Sequence, residues 1–265
     1  MRAVKKHAKD KWVVLYIERW RKAPAQEEAG HVTERGKGTP QGGVISPLLA
    51  NLFLHYAFDR WMQRTYPHLP FERYADDAMV HCRTETEAQE VRRAIAERMQ
   101  ACRLELHPEK TRRVDLSWGR QGFDFLGCHL HKRISGRIWE QQGRRVYFLQ
   151  RWPSVRSMKR VRGRVKELTD RSWNWVSDVR ELIDMLNPFL RGWGNYFRTG
   201  NAATKFNQVD TYVVWRLKRF LIQRKGRHLR AGEVDRWTRE YFEALGLHRL
   251  RGTIRYPGTP FWEPA

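Results

Sequence analysis

The sequence predicts an α+β fold in its first half, with short antiparallel strands among helices, followed by an all-helical bundle. Three observations carry that expectation. Short apolar runs at 71–74, 78–82 and 123–127 are bounded by turn residues, as strands are. One segment between them, with Ala88, Val91, Ile95 and Met99, repeats at the helical period. Beyond Trp152-Pro153 the texture changes to long amphipathic stripes joined by short links, which pack as a bundle.

The elements follow in order. Residues 2 to 22 read as one basic amphipathic helix stopped by Pro24, with Asp10 inside it. Residues 25 to 43 are rich in Gly, Glu and Lys and read as loop or short hairpin. Ser46-Pro47 fits an N-cap followed by proline at the first helical position, opening a helix to about Trp61 or Arg64. Phe71–Tyr74 and Ala78–Cys82 then form a hairpin whose tip, Ala75-Asp76-Asp77, carries two carboxylates. A helix over 85–101 follows, then a strand at Leu104–Leu106 and strand character at Phe123–Gly127 and Val146–Leu149. Ser154 caps a helix with the stripe Val155, Met158, Val161, Val165 and Leu168. A second helix runs from Val179 to Phe197, bent at Pro188, and a third carries Phe206 to Leu221. The end is basic and less regular, with one helix over 231–245 and a Gly/Pro-rich tail. The domain boundaries expected from this texture are 1–150, 151–225 and 226–265.

The 265 residues, 41% hydrophobic and holding 12 Trp, 12 Phe and 9 Tyr, can fill a core. The formal net charge of +22 exceeds what solubility needs and points to a polyanionic partner. Residues 151 to 265 hold 24 Lys and Arg against 11 acids, whereas residues 1 to 150 hold 27 against 18. No apolar run approaches the roughly 20 residues of a spanning helix, so no membrane role is expected. No signal-peptide pattern opens the chain. Cys82, Cys102 and Cys128 are widely spaced without a CxxC pair, which argues for a reducing, cytoplasmic compartment and against structural zinc.

Adjacent Asp76 and Asp77 at a hairpin tip repel unless a cation neutralises them, and carboxylate oxygens suit Mg²⁺. Alone, such a pair is as well explained by a solvated turn. Upstream, however, Gly38-Thr39-Pro40-Gln41-Gly42-Gly43 lets backbone approach a ligand just before a helix N-terminus, where phosphate is favoured.

Together with Tyr74-Ala75-Asp76-Asp77, Leu106-His107-Pro108-Glu109-Lys110-Thr111 and Phe123-Asp124-Phe125-Leu126-Gly127, this loop resembles the consecutive palm motifs of group II intron reverse transcriptases. Leu186-Asn187-Pro188-Phe189-Leu190-Arg191-Gly192-Trp193-Gly194-Asn195-Tyr196-Phe197 is similar to the signature of their maturase-specific domain X, the polymerase thumb. The resemblance implies a partial palm over 1–150, a thumb over 151–225 and a basic DNA-binding-like segment over 226–265. It implies intron RNA, an RNA template and a DNA primer as partners, with assistance to splicing.

By resemblance Asp76 and Asp77 are the catalytic, Mg²⁺-holding aspartates, with Tyr74 beside them. Gln41 and Gly42 lie near the incoming nucleotide, Lys110 assists the leaving pyrophosphate, and Phe125, Leu126 and Gly127 form the primer grip. For Lys110 a solvated lysine remains an equal reading. Arg156, Lys159, Arg160 and Arg164 recur at helical spacing off the apolar stripe and offer RNA a phosphate-facing surface.

One family feature is missing. The third palm carboxylate belongs to an earlier strand, and Asp10, flanked by Lys9 and Lys11, is a poor substitute. The two-metal site is thus incomplete in these residues. The expectation is a reverse transcriptase/maturase inactive as a polymerase alone, completed by a separately encoded amino-terminal fragment. The rival expectations are a non-catalytic RNA-binding module and a nonfunctional fragment. No HNH endonuclease cysteine pairs appear, so DNA cleavage is not expected.

Overall fold

The computed structural model describes residues 1–26, 32–33, 43–173, 175–176 and 178–255. They belong to two compact units, Met1–Arg113 and Val114–Ala265.

In the first unit the helix expected over 2–22 is two helices, α1 (Arg2–His7) and α2 (Lys11–Lys22). The break falls where Ala8 and Asp10 take extended backbone, and Asp10 occupies the N-cap of α2. An aspartate favours that position over a helix interior, and His7 with two lysines sits against the negative end of α1. Strands β1 (Ala25–Gln26) and β2 (Val32–Thr33) pair as a short antiparallel hairpin. Next come α3 (Ser46–Leu54), a π-helical segment over His55–Asp59, and α4 (Arg60–Thr65). The cap position of α3 is Ile45 rather than Ser46, one residue from expectation, with Pro47 in the first turn.

The hairpin β3 (Phe71–Tyr74) and β4 (Asp77–Val80) precedes α5 (Glu85–Ala101). Thr84 caps α5 by accepting from the Glu87 N–H at 3.1 Å. Phe58, Met62, Leu69, Val91 and Met99 form the core beneath the hairpin, with Phe71, Val80, Ile95 and Leu106 packed against it. The strand expected at Leu104–Leu106 does not form. Arg103 takes a left-handed φ of 61° and the Leu104 N–H returns to the Met99 carbonyl at 2.9 Å, so the chain folds over the end of α5. Leu106 keeps its apolar role without a strand.

The second unit opens with an antiparallel sheet in the order β5 (Gly122–Phe125), β6 (Cys128–Ile134), β7 (Tyr147–Pro153). Between β6 and β7 lies α6 (Gly136–Gln142), capped by Ser135 and ended by left-handed Gly143, a helix the sequence pattern did not suggest. β7 runs through Trp152-Pro153 directly into Ser154, the N-cap of α7 (Val155–Glu167). A capping box of Asp178 and Glu181 starts α8 (Val179–Phe197), which continues through Pro188, and α9 (Ala203–Lys225) follows. The single helix expected over 231–245 is instead α10 (Glu233–Arg236) and α11 (Arg239–Ala244). Buried Trp237 and the capping hydroxyl of Thr238 separate them, because Thr serves a cap better than an interior.

Among the described residues, twenty-two buried ones form the bundle core, including Val161, Leu182, Leu186, Phe206, Leu217 and Phe242. Polar pins lock it. Buried Arg216 donates to the Thr169 hydroxyl and carbonyl, both at 2.9 Å, and to the Lys166 carbonyl at 3.2 Å, closing the C-terminal end of α7. Asp210 accepts the Leu250 and Arg251 N–H groups at 3.0 Å. Asn187 donates to the Gly246 carbonyl and accepts from the His248 N–H. The architecture is α+β, with small antiparallel sheets and a helical C-terminal part. No helix among the described residues is long and apolar enough to cross a membrane.

Candidate functional site

Ala75 and Asp76 form a two-residue turn between the paired residues Tyr74 and Asp77. Ala75 has φ 52°, and hairpin turns of this length demand a positive φ at their first central position. With a Cβ present that conformation costs about 1–2 kcal/mol, so other interactions must hold it.

Arg73 does so. Its Nε and Nη2 donate to Asp59 Oδ1 and Oδ2 at 2.6 and 2.7 Å, a bidentate pair. Its Nη1 donates to Asn51 Oδ1 at 2.9 Å and to the Ala75 carbonyl at 2.8 Å. The side chains of Arg73 and Asp59 are only 11% and 17% exposed. The hydrogen bond from Arg73, aided by nearby His55, lowers the Asp59 carboxyl below its ordinary range; the same bond raises the Arg73 guanidinium. Asp59 ends the π-helical segment, a local widening that recurs at functional sites.

Beyond this clamp, Asp76 and Asp77 project as exposed carboxylates next to exposed Tyr74. Two accessible carboxylates on adjacent residues are a chemically suitable donor pair for a hard, oxygen-seeking cation. No group of three or more Asp, Glu, His and Cys able to hold a metal assembles among the described residues. Lys110 stands exposed on a separate loop of the same unit, where the Thr111 N–H donates to the His107 carbonyl at 2.9 Å. Gln41 and Gly42 lie outside the described residues.

The other motif residues belong to the second unit. Phe125 pairs with Cys128 across the turn Leu126-Gly127, whose φ values of 48° and 75° make it a type I′ hairpin. The helices grip this turn. The Tyr196 hydroxyl donates to the Leu126 carbonyl at 2.8 Å. The Ser154 N–H and the Ser157 hydroxyl donate to the Gly127 carbonyl at 2.9 and 2.8 Å. A Cβ on Gly127 would stand 3.0 Å from Ser157 Oγ, so glycine suits both the φ and the close approach.

On α7, Arg156, Lys159 and Arg160 are exposed opposite the buried stripe Met158, Val161 and Val165. Arg164 is also exposed, but Nη1 donates to Glu167 at 2.9 Å, which occupies part of its charge.

Sequence reasoning missed Arg73, Asp59 and Asn51. The signal was present in the strand period, which puts Arg73 on the same inward face as Phe71, where a cation needs an anionic partner. It also missed the guanidinium of Arg162 over Tyr212, 5.8 Å from the ring centroid, which extends the α7 cations towards α9.

The family model "Reverse transcriptase (RNA-dependent DNA polymerase)" matches residues 1–130, which include the hairpin and its two carboxylates. This places residues 1–130 in the reverse transcriptase family, whose members generally depend on Mg²⁺. The model "Group II intron, maturase-specific domain" matches residues 158–242, from α7 through most of α11. With both matches in that order, the chain belongs to the group II intron reverse transcriptase/maturase family. Among solved structures it is similar to telomerase from Candida albicans, determined in complex with a TWJ fragment of telomeric RNA. The similarity is 16% identity and a TM-score of 0.36 over 89% of this chain, and the chain spans 39% of that one. No curated protein matches it.

Proposed function

We propose that this chain binds group II intron RNA through its helical unit, assists splicing, and presents Asp76 and Asp77 as part of a Mg²⁺ site for copying RNA into DNA. The observation that carries the reading is the clamped turn. Arg73 holds a strained backbone so that two adjacent carboxylates stand clear of the protein, where a cation and phosphate oxygens can reach them.

In this reading residues 1–150 act as palm, 151–225 as thumb and 226–265 as a basic DNA-contacting segment. Mg²⁺ bound to Asp76 and Asp77 would supply charge neutralisation at the reacting phosphate. Tyr74 borders that site, and Gln41, Gly42 and Lys110 serve nucleotide binding and pyrophosphate departure. Phe125, Leu126 and Gly127, gripped by the α7 cap and Tyr196, hold the primer strand. The exposed cations Arg156, Lys159 and Arg160, with a lesser share from ion-paired Arg164, neutralise RNA phosphates.

Two aspartates do not complete a two-ion site. In this reading the described residues do not by themselves extend a primer, because no third metal-holding group joins the pair among them, and a further carboxylate comes from residues outside that set, in the same polypeptide or in a separately encoded amino-terminal fragment. Primer extension on an RNA template that persists in Asp76→Asn would show that view to be wrong.

RNA binding is tested separately. Reversing the charges of Arg156, Lys159 and Arg160 should weaken binding to a folded group II intron RNA and reduce the salt slope by about 1 for each phosphate no longer neutralised. An unchanged slope would remove α7 from the interface. The non-catalytic RNA-binding reading is favoured if binding survives Asp76→Asn and adding the amino-terminal fragment restores no extension.

A further inference from the structure

The β5-β6-β7 sheet has two chemically different faces. On one, Cys128 packs against the bundle core. On the other, the register aligns Gly122 with His131, His129 with Trp152, and Arg133 with Phe148. Strand alternation sends these side chains to the same side. His129, His131 and Trp152 are half-buried, and Arg133 and Phe148 are exposed.

The rings are clustered. The His129 and Trp152 centroids are 5.2 Å apart, His129 and His131 6.0 Å, and His131 and Trp152 6.1 Å. The Arg133 guanidinium sits 5.1 Å from the Trp152 ring. Gly122 makes room for them, because a Cβ there would stand 2.6 Å from His129 Nε2 and 2.9 Å from His131 Cδ2. The missing side chain thus lets both imidazoles lie down over β5. Asp124 fixes His129 through Nδ1 at 2.6 Å. The surrounding charge is cationic, since residues 117–153 contain seven Lys and Arg against two acids.

We propose that this face is a stacking platform for bases of single-stranded nucleic acid, with Trp152 and His131 as the stacking rings and Arg133 serving the adjacent phosphate. Aromatic rings supported by a sheet, with cations at the margin, accept bases of any sequence because every base offers a π face, and since His131 stands at 79° to Trp152 the two rings take separate, splayed bases rather than one continuous stack. A polyanionic strand matches both the charge and the rings, whereas an acidic protein segment would use the charge alone. The platform starts at His129 and Trp152, one residue pair beyond the pair that closes the Leu126-Gly127 turn, and it rests on the reading of the chain as a nucleic-acid binder.

The experiment compares the full 265-residue chain binding a single-stranded RNA oligomer of about a dozen nucleotides with an abasic oligomer of equal length and charge. Base stacking should favour the base-bearing oligomer by about 5-fold or more. Trp152→Ala and His131→Ala should each reduce that preference, and Trp152→Phe should retain it. Photo-crosslinking of a 4-thiouridine oligomer to the unsubstituted protein should label the peptides holding His131 or Trp152, which decides the matter even if Trp152→Ala does not fold. Equal affinity for both oligomers, or crosslinks confined to other peptides, would overturn the platform. If intron RNA still binds in that case, only the platform fails; if neither RNA binds, the functional reading falls with it.

Discussion

Among the described residues, two hairpin turns put a non-glycine residue into left-handed backbone, Ala75 at φ 52° and Leu126 at φ 48°, and they are held in different ways. The Ala75 carbonyl accepts from Arg73, whose guanidinium is anchored to Asp59 and Asn51 above a core of five buried residues. The Leu126-Gly127 carbonyls accept from Tyr196, Ser154 and Ser157, which come from two helices sharing a core of twenty-two. The first turn depends on one side chain. The second is determined several times over, so no single loss should release it. Strain at the carboxylate turn is thus coupled to one ion pair, and strain at the other to the whole bundle.

The widest separation between the two comes from removing their anchors. Arg73→Ala leaves Asp59 with only His55, at 3.4 Å, in a site that is mostly closed to water, and should destabilise the first unit by about 3 kcal/mol. Hydrogen exchange over residues 71–80 should accelerate accordingly. Ser157→Ala removes one of two donors on the Gly127 carbonyl and should cost only about 1 kcal/mol, read from denaturant unfolding. Equal costs would erase the contrast between a singly and a multiply held turn.

A smaller contrast is set by pH, and its sign differs between the units. Asp59 is held below its ordinary pKa of 3.8 by the Arg73 hydrogen bond. Its contribution is full above 3.8 and is lost as pH falls through the lower folded value. Asp210 is pushed above 3.8 by burial, despite the two N–H groups that it accepts. Its protonated form favours the folded state, so its contribution declines as pH rises from 3.8 through the raised folded value. Acidification should therefore weaken the hairpin unit through Asp59 and relieve the bundle at Asp210. Segment-resolved hydrogen exchange on either side of 3.8 checks this, and Asp59→Asn should flatten the response of the hairpin alone.

Much of this was legible in the sequence, for identifiable reasons. The hairpin was readable because two short apolar runs flank an acidic tip, although its turn is two residues rather than the three expected at 75–77 and its second strand is Asp77–Val80 rather than 78–82. The α7 to α9 stripes were readable because their buried faces repeat at the helical period, except for Val155, which opens α7 and is exposed. The break at Asp10 was hidden because the helical pattern continues across it, while the backbone becomes extended at Ala8 and Asp10. Thr238 disguised the division between α10 and α11 in the same way. At Leu104–Leu106 the apolar spacing reported burial correctly, but the left-handed turn at Arg103 decided the backbone. The grip on Leu126-Gly127 joins residues 30 and 70 positions apart, beyond the reach of any local pattern. Gln41 and Gly42 lie outside the described residues and stand on their motif alone.

The most direct measurement replaces Mg²⁺ with Fe²⁺, in the presence of an RNA template and DNA primer, and maps the backbone cuts made by hydroxyl radicals generated at the bound ion. Cuts should concentrate around Tyr74–Asp77, disappear in Asp76→Asn and Asp77→Asn, and spread or weaken in Arg73→Ala, where the turn is no longer held. Cuts that survive both aspartate substitutions, or that never occur near the hairpin tip, would contradict the assignment of this turn as the metal site.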